Sequence, residues 1–284
     1  ALFTDDLVLP GMLHGRILRS PMPHARVRYI DTSRAEKLPG VKGVVTGRDI
    51  PDRRYGIVPK AKDERALARD KVRYIGDDVA AVCAVDPETA EEALALITVE
   101  YEALPAVFDP LEAKKEGAPL IHEGVKNNTS FFIRKEFGDV EKAFGECYEI
   151  FEHSFYSQAV NHAPLEPHGA LAQFDPQNGE LTVWSSTQIP YFLRRNLANT
   201  LQLDESKVRI IKPKVGGGFG QKIDMFAKES RPNSVVLRWS RVLAERAGGE
   251  ADLVLLAQID DRCDLGGRQR HGRNGVECGF ERTS

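Results

Sequence analysis

Residues 77–105 narrow the fold most, because a buried run, a capped helix pattern and a second strand pattern follow one another without a gap. "DDVAAVCAV" (77–85) is continuously apolar after its acidic start, the pattern of a strand covered on both faces. "DPETAEEALALI" (86–97) then puts Asp86 where an N-cap belongs and Pro87 at the first helical position. Its first turn is acidic, as the helix dipole favours. "ITVEYEALP" (97–105) alternates and stops at Pro105. Strand, helix and strand within about 30 residues make an α+β or βαβ unit.

The rest of the chain supports an α+β fold class. "VKGVVTGRDI" (41–50) opens with a β-branched run after a Pro39-Gly40 turn. Residues 109–130 are rich in Lys, Glu, Gly, Pro and Asn and read as a linker. "ECYEIFEHSFYSQ" (146–158), dense in aromatics, is expected to form a strand. "GALAQFD" and "ELTVWSST" flank Pro176-Gln177-Asn178-Gly179, a hairpin signal. In "IPYFLRRNLANTLQL" (189–203), Ile189, Phe192, Leu193, Leu197 and Leu201 fall on one helical stripe. "SKVRIIKPKV" (206–215) is a strand that delivers the chain into a glycine-rich loop.

A length of 284 residues suggests one large or two medium domains. A net charge of −3 gives no electrostatic case for nucleic acid. No apolar run approaches the roughly 18 residues of a membrane helix. The first residues lack the basic and then apolar regions of a secretory signal. Cys83, Cys147, Cys263 and Cys278 form no CxxC pair, so a zinc or iron–sulfur site within this chain is not expected. Reduced thiols in a cytoplasmic protein are the simpler account. Composition changes at residue 230: fifteen Lys and fifteen Arg precede it, whereas nine Arg and no Lys follow. The last stretch, "GGRQRHGRNGVECGFERTS", has no periodicity and reads as disordered.

The loop "KVGGGFGQK" (214–222) fails both common phosphate templates. A dinucleotide fingerprint begun at Gly216 needs glycine where Gln221 stands. A phosphate loop needs glycine before Lys222 and a hydroxyl residue after it, but Gln221 and Ile223 flank it. By itself the loop is either a tight turn or backbone that comes close to another surface. In "NHAPLEPHGA" (161–170), Pro164 and Pro167 impose extended backbone on His162, Glu166 and His168, unlike the helical spacing of zinc ligands. Glu166 there enters a polar network at a cleft, or the histidines are satisfied at the surface. "SSTQ" (185–188) suits capping, but the amide of Gln188 also donates and accepts, as an oxo or carbonyl ligand requires. Asp5-Asp6 and Asp77-Asp78 read as solvated turn residues.

"TDDLVLPGMLHGRILRSPMPHARVRYIDTSRAEKLPGVKGVVTGRDI" (4–50) and "VRYIGDDVAAVCAVDPETAEEALALITVEYEALPAVFD" (72–109) resemble the hammerhead domain of the xanthine dehydrogenase/aldehyde oxidase family of molybdenum subunits. "APLEPHGALAQFD", "LTVWSSTQIP" and "KVGGGFGQK" resemble, in family order, the first part of its molybdopterin-binding domain. The resemblance covers residues 1–229. It implies a hammerhead domain over 1–108, a linker over 109–130, the first part of the cofactor domain over 131–229, and an atypical tail over 230–284. That tail reads as frame-shifted or disordered.

The resemblance further implies a molybdenum held by molybdopterin, or by its cytosine dinucleotide form, with no metal-ligating side chain. Gln188, Gly217, Gly218, Phe219 and Gly220 match the positions that embrace that centre, with Phe219 also walling the substrate cavity. The general base lies beyond the matched part, so no catalytic residue is expected here and the chain is expected to be inactive alone. The reaction implied is hydroxylation of an aromatic, heterocyclic or aldehyde substrate. Electrons would pass to [2Fe–2S] clusters and FAD on partner subunits, in a dimer of heterotrimers. Purine-oxidising members carry Glu where Ile223 stands, which disfavours xanthine. The overall look is nearest to 4-hydroxybenzoyl-CoA reductase-like subunits. A truncated, non-catalytic docking module is the alternative.

Overall fold

The computed structural model describes residues 2–56, 62–135, 137–158 and 160–223, together with the backbone of 253–258. Its strands are β1 (Leu13–Arg19), β2 (Ala25–Asp31), β3 (Val41–Thr46), β4 (Lys71–Val72), β5 (Asp78–Ala84), β6 (Thr98–Ala103), β7 (Gly169–Asp175), β8 (Glu180–Ser185), β9 (Val208–Ile211) and β10 (Leu253–Gln258). Its α-helices are α1 (Ser33–Glu36), α2 (Pro87–Ala95), α3 (Pro110–Lys114), α4 (Val140–Glu146) and α5 (Pro190–Leu201). The class is α+β, as expected. Contacts divide the chain into two units, one taking in Ala1–Pro105 and His162–Leu265, the other containing Ala106–Asn161. The first unit thus unites residues that the sequence layout assigns to two domains.

In the first unit, one sheet has the order β3-β5-β1-β10-β7-β8-β9, and a smaller one the order β4-β2-β6. Pairing is parallel for β1 with β10 and for β8 with β9, and antiparallel elsewhere. Every residue of β5 is buried. Val79 packs with Ala25, Val27 and Val72 of the small sheet, while the successive residues Ala80, Ala81, Val82 and Cys83, whose side chains alternate between the two faces, all join a larger core that includes Ala93 of α2. Coverage from both sides is the reason this strand carries an unbroken apolar run. Asp86 caps α2 as expected, accepting the Thr89 N–H at 2.7 Å. The strand after α2 does not return to the same sheet, however. Both neighbours of β5 are already β3 and β1, so β6 pairs antiparallel with β2 instead.

β10 comes from the stretch expected to be atypical. Six of its residues pair with β7 and three with β1, joining the early strands to the later ones in one continuous sheet. The rest of residues 230–284 lies outside the described residues.

Two expectations are corrected. Asp78 is no solvated turn residue: it is fully buried at the start of β5, with Arg19 Nε 3.7 Å from its carboxylate. Burial pushes its pKa well above the ordinary value, against the opposing pull of Arg19. Residues 147–158 form no strand. A strand needs a partner for its backbone groups, and none of the described strands pairs with this segment. Its aromatic side chains, Tyr148, Phe151 and Phe155 among them, are exposed. In this second unit α3 and α4 are each capped by an aspartate, Asp109 and Asp139.

Candidate functional site

Three local elements build the site. The β7–β8 hairpin turns where predicted, with Gly179 at φ +67° and its N–H donating to the Asp175 carbonyl at 2.8 Å. β8 ends at Ser185, and α5 begins at Pro190 with Leu193, Leu197 and Leu201 buried. Between them the Thr187 hydroxyl accepts the Ile189 N–H at 3.1 Å, but the cap position of α5 is Ile189 and no side chain caps it, so the capping expected of 185–188 is not made. Gln188 turns to the glycine loop instead. β9 pairs parallel to β8 and sends the chain through 212–215 into the glycine loop, which therefore arrives beside 185–188.

Gln188 and the loop are in direct contact. Gln188 Oε1 accepts the N–H groups of Gly220 at 3.2 Å and Lys222 at 3.3 Å, and its own N–H donates to the Lys222 carbonyl at 2.8 Å. Both partners of that side-chain oxygen are donors, which fixes the orientation of the amide and leaves Nε2 as its outstanding donor. A Cβ on Gly218 would stand 2.5 Å from Gln188 Cδ and Oε1, so only glycine allows this approach. Gly217, Phe219 and Gly220 adopt φ of +99°, +49° and +87°. For Phe219, a bulky residue with a side chain, that conformation is strained. Its ring is 70% exposed, an apolar face offered to whatever the loop receives.

The consecutive N–H groups of Gly217, Gly218 and Phe219 have no acceptor among the described residues. Successive backbone donors in a loop that alternates sign of φ form a concavity for an anionic or oxo oxygen. With Nε2 of Gln188, four neutral donors lie on neighbouring residues. Such neutral donors suit the oxygen atoms of a bound group. Among the described residues no group of three His, Cys, Asp or Glu could hold a metal ion. The arrangement fits a metal chelated by a pterin, as the resemblance implies.

Glu166 and Lys222 lie beneath the loop. Lys222 is 1% exposed, and its Nζ donates to both the carbonyl and Oε2 of Glu166 at 2.9 Å. Glu166 Oε2 also accepts the Gly216 N–H at 2.6 Å, and the Glu166 N–H donates to the Gly216 carbonyl at 3.1 Å. His168 is buried rather than at the surface. Burial first, then the positive charges of Lys222 and Arg19, lower its pKa to about 3, so the ring is neutral. His162 is exposed and takes no part. Sequence reasoning found Glu166 but passed over Lys222 as a loop flank. Burial of an ammonium by a carboxylate 56 residues away leaves no local pattern.

A hammerhead-type α+β domain sharing a sheet with a glycine-loop domain defines the class. Residues 1–105 match the model of the aldehyde oxidase and xanthine dehydrogenase a/b hammerhead domain, and residues 121–231 that of the molybdopterin cofactor-binding domain. The chain belongs to the xanthine dehydrogenase family of molybdopterin-binding large subunits. It is 40% identical over 226 residues to the nicotinate dehydrogenase large molybdopterin subunit of Eubacterium barkeri, covering 79% of this chain and 52% of that one. It is 36% identical over 240 residues to the carbon monoxide dehydrogenase large chain of Afipia carboxidovorans, covering 79% and 30%. The crystal structure of quinoline 2-oxidoreductase from Pseudomonas putida 86 superposes with a TM-score of 0.77 at 32% identity, over 91% of this chain and 32% of that one. The chain thus spans about half or less of these relatives.

Proposed function

We propose that this chain is the molybdenum-cofactor-binding part, over its matched length, of the large subunit of a molybdenum hydroxylase-type oxidoreductase. The observation that carries the reading is that three loop N–H groups, without an acceptor among the described residues, lie in the loop whose end Gln188 Oε1 holds. Gly217, Gly218, Phe219, Gly220 and Gln188 are the residues we assign to cofactor binding. When bound, the molybdenum–pterin group supplies two-electron oxidation of the substrate with oxygen drawn from water.

The chain's own contribution is placement. Backbone donors cost no side-chain reorganisation, so they orient oxygen ligands at fixed positions. The exposed Phe219 ring excludes water from one side of the opening and gives a flat substrate an apolar surface. Ile223, partly exposed at the loop's end, cannot pair with the polar edge of a purine. With relatives named for nicotinate, nicotine and quinoline, this favours an N-heteroaromatic or other aromatic substrate. Relatives named as large subunits or as one subunit of a complex support partner subunits, and we take these to carry the [2Fe–2S] clusters and FAD. The general base is assigned to no residue of this chain, and we expect the chain alone to turn over no substrate. No described helix is long and apolar enough to cross a membrane. We place the protein in the cytoplasm, and take the cofactor to be molybdopterin or its cytosine dinucleotide.

The test is to co-express the chain with molybdenum-cofactor maturation proteins and to measure molybdenum and pterin per chain. Near-stoichiometric content in the parent that falls at least tenfold in Gln188→Ala supports the reading. Absence of both from the folded parent refutes it and favours a non-catalytic docking module.

A further inference from the structure

The glycine loop is held at both ends by one residue outside it. At its start, Gly216 exchanges two hydrogen bonds with Glu166, one through the backbone and one through Oε2. At its end, the Lys222 side chain folds back beneath the loop and reaches that same Oε2 and the Glu166 carbonyl. The second wall is equally closed: Gln188 takes the N–H groups of Gly220 and Lys222, while Thr187 Oγ1 donates to the Lys222 carbonyl at 3.4 Å. Among the described residues the N–H groups of 217–219 have no acceptor, while the Gly218 carbonyl accepts the Gln221 N–H at 2.8 Å within the loop.

We propose that the buried Glu166–Lys222 ion pair is a latch that sets the geometry of the glycine loop, making both residues positioning residues for the donors at 217–219. Three facts carry this. The pair is shielded from water, with side-chain exposures of 7% and 1%, so its attraction is little screened. It spans the loop, so pulling on Lys222 draws the 220–222 end toward the anchor of Gly216. It is also specific in shape: a Cβ on Gly216 would stand 2.6 Å from Glu166 Cβ, so only glycine allows this close approach. Pro164 and Pro167 on either side hold Glu166 on extended backbone and limit how far it can follow a moving loop. An ion pair used only to fill the core could be replaced by apolar side chains without harm. A latch could not, because Gly216 would lose its acceptor and Lys222 its tether. The inference rests on the cofactor reading for its purpose, but on the bonds alone for its mechanics.

The test separates these. Amide hydrogen exchange is measured on the folded chain for the parent, Glu166→Gln, Lys222→Met and the Glu166→Leu/Lys222→Met double variant. Molybdenum and pterin content is measured after co-expression with maturation proteins. The latch predicts at least tenfold faster exchange at Gly216, Gly220 and Lys222 (or its replacement) in every variant. The β7 amides of Ala170–Ala172 should keep their protection in the double variant, which no longer buries an unpaired charge. Cofactor content falls with loop protection. Unchanged loop exchange, or loop protection that returns in the double variant together with global stability, overturns the latch. A parent that takes up no cofactor refutes the cofactor reading, and loop exchange still decides the latch.

Discussion

Replacing Gly218 with alanine tests the contact on which the site depends. Gly218 has no positive φ to forbid a side chain, so the cost must come from what its Cβ meets. That is the Gln188 amide, at 2.5 Å from Cδ and Oε1 and 2.8 Å from Cγ. Clearing the overlap takes a shift of roughly 1 Å, enough to break the bonds from Gly220 and Lys222 to Oε1. Two neutral hydrogen bonds are worth about 1 kcal/mol each, and leaving the buried Lys222 N–H unpaired adds to that, so Gly218→Ala should destabilise by about 2–3 kcal/mol. Urea denaturation followed by far-ultraviolet circular dichroism measures it. The decisive comparison is with Gln188→Ala, which removes the obstructing amide and its two bonds at once. In that background Gly218→Ala should cost less than about 0.5 kcal/mol. If the two effects simply add, the loop is not packed on Gln188 as described and the reasoning fails.

His168 resists protonation in the folded protein, with a pKa of about 3 against 6.5. The unfolded chain therefore binds the extra proton between those values. Stability is complete above pH 6.5 and falls as pH drops toward 3, by at most about 1.4 kcal/mol per pH unit. His168→Gln should flatten that part of a pH–stability profile, and an unchanged slope would count against it. Asp78 is the opposite case: its raised pKa means that folding favours the protonated form, so its contribution is fullest at low pH and weakens as pH rises above 3.8. Asp78→Asn should therefore stabilise at neutral pH by on the order of 1 kcal/mol, and a loss of stability in a thermal melt would show that Arg19 outweighs desolvation. Leu197, fully buried in α5, should cost about 2–5 kcal/mol on replacement by alanine, read from the urea midpoint.

Where the candidate site was legible in the sequence, it lay in segments with a local physical signature. Gln188 stood out because an amide is an odd residue for a cap, and the glycine loop because four glycines in five positions have few uses. Lys222 and Asp78 were missed because each owes its role to burial by distant chain. The aromatics of 147–158 misled in the other direction, for composition signals a strand whether or not a partner is present.

The amino-acid order alone determined the local pieces: the β5 run, the Asp86 cap of α2, the 176–179 turn and the strand that leads toward the glycine loop. These follow from short-range hydrogen bonding, backbone sterics and apolar periodicity, which act within a few residues. Tertiary structure decided which sheet β6 joined, that β10 closed the seven-stranded sheet, and that Glu166 met Lys222. Those outcomes depend on which edges and charges remain unpaired once the other elements are in place, a competition across the whole chain that no window of sequence contains.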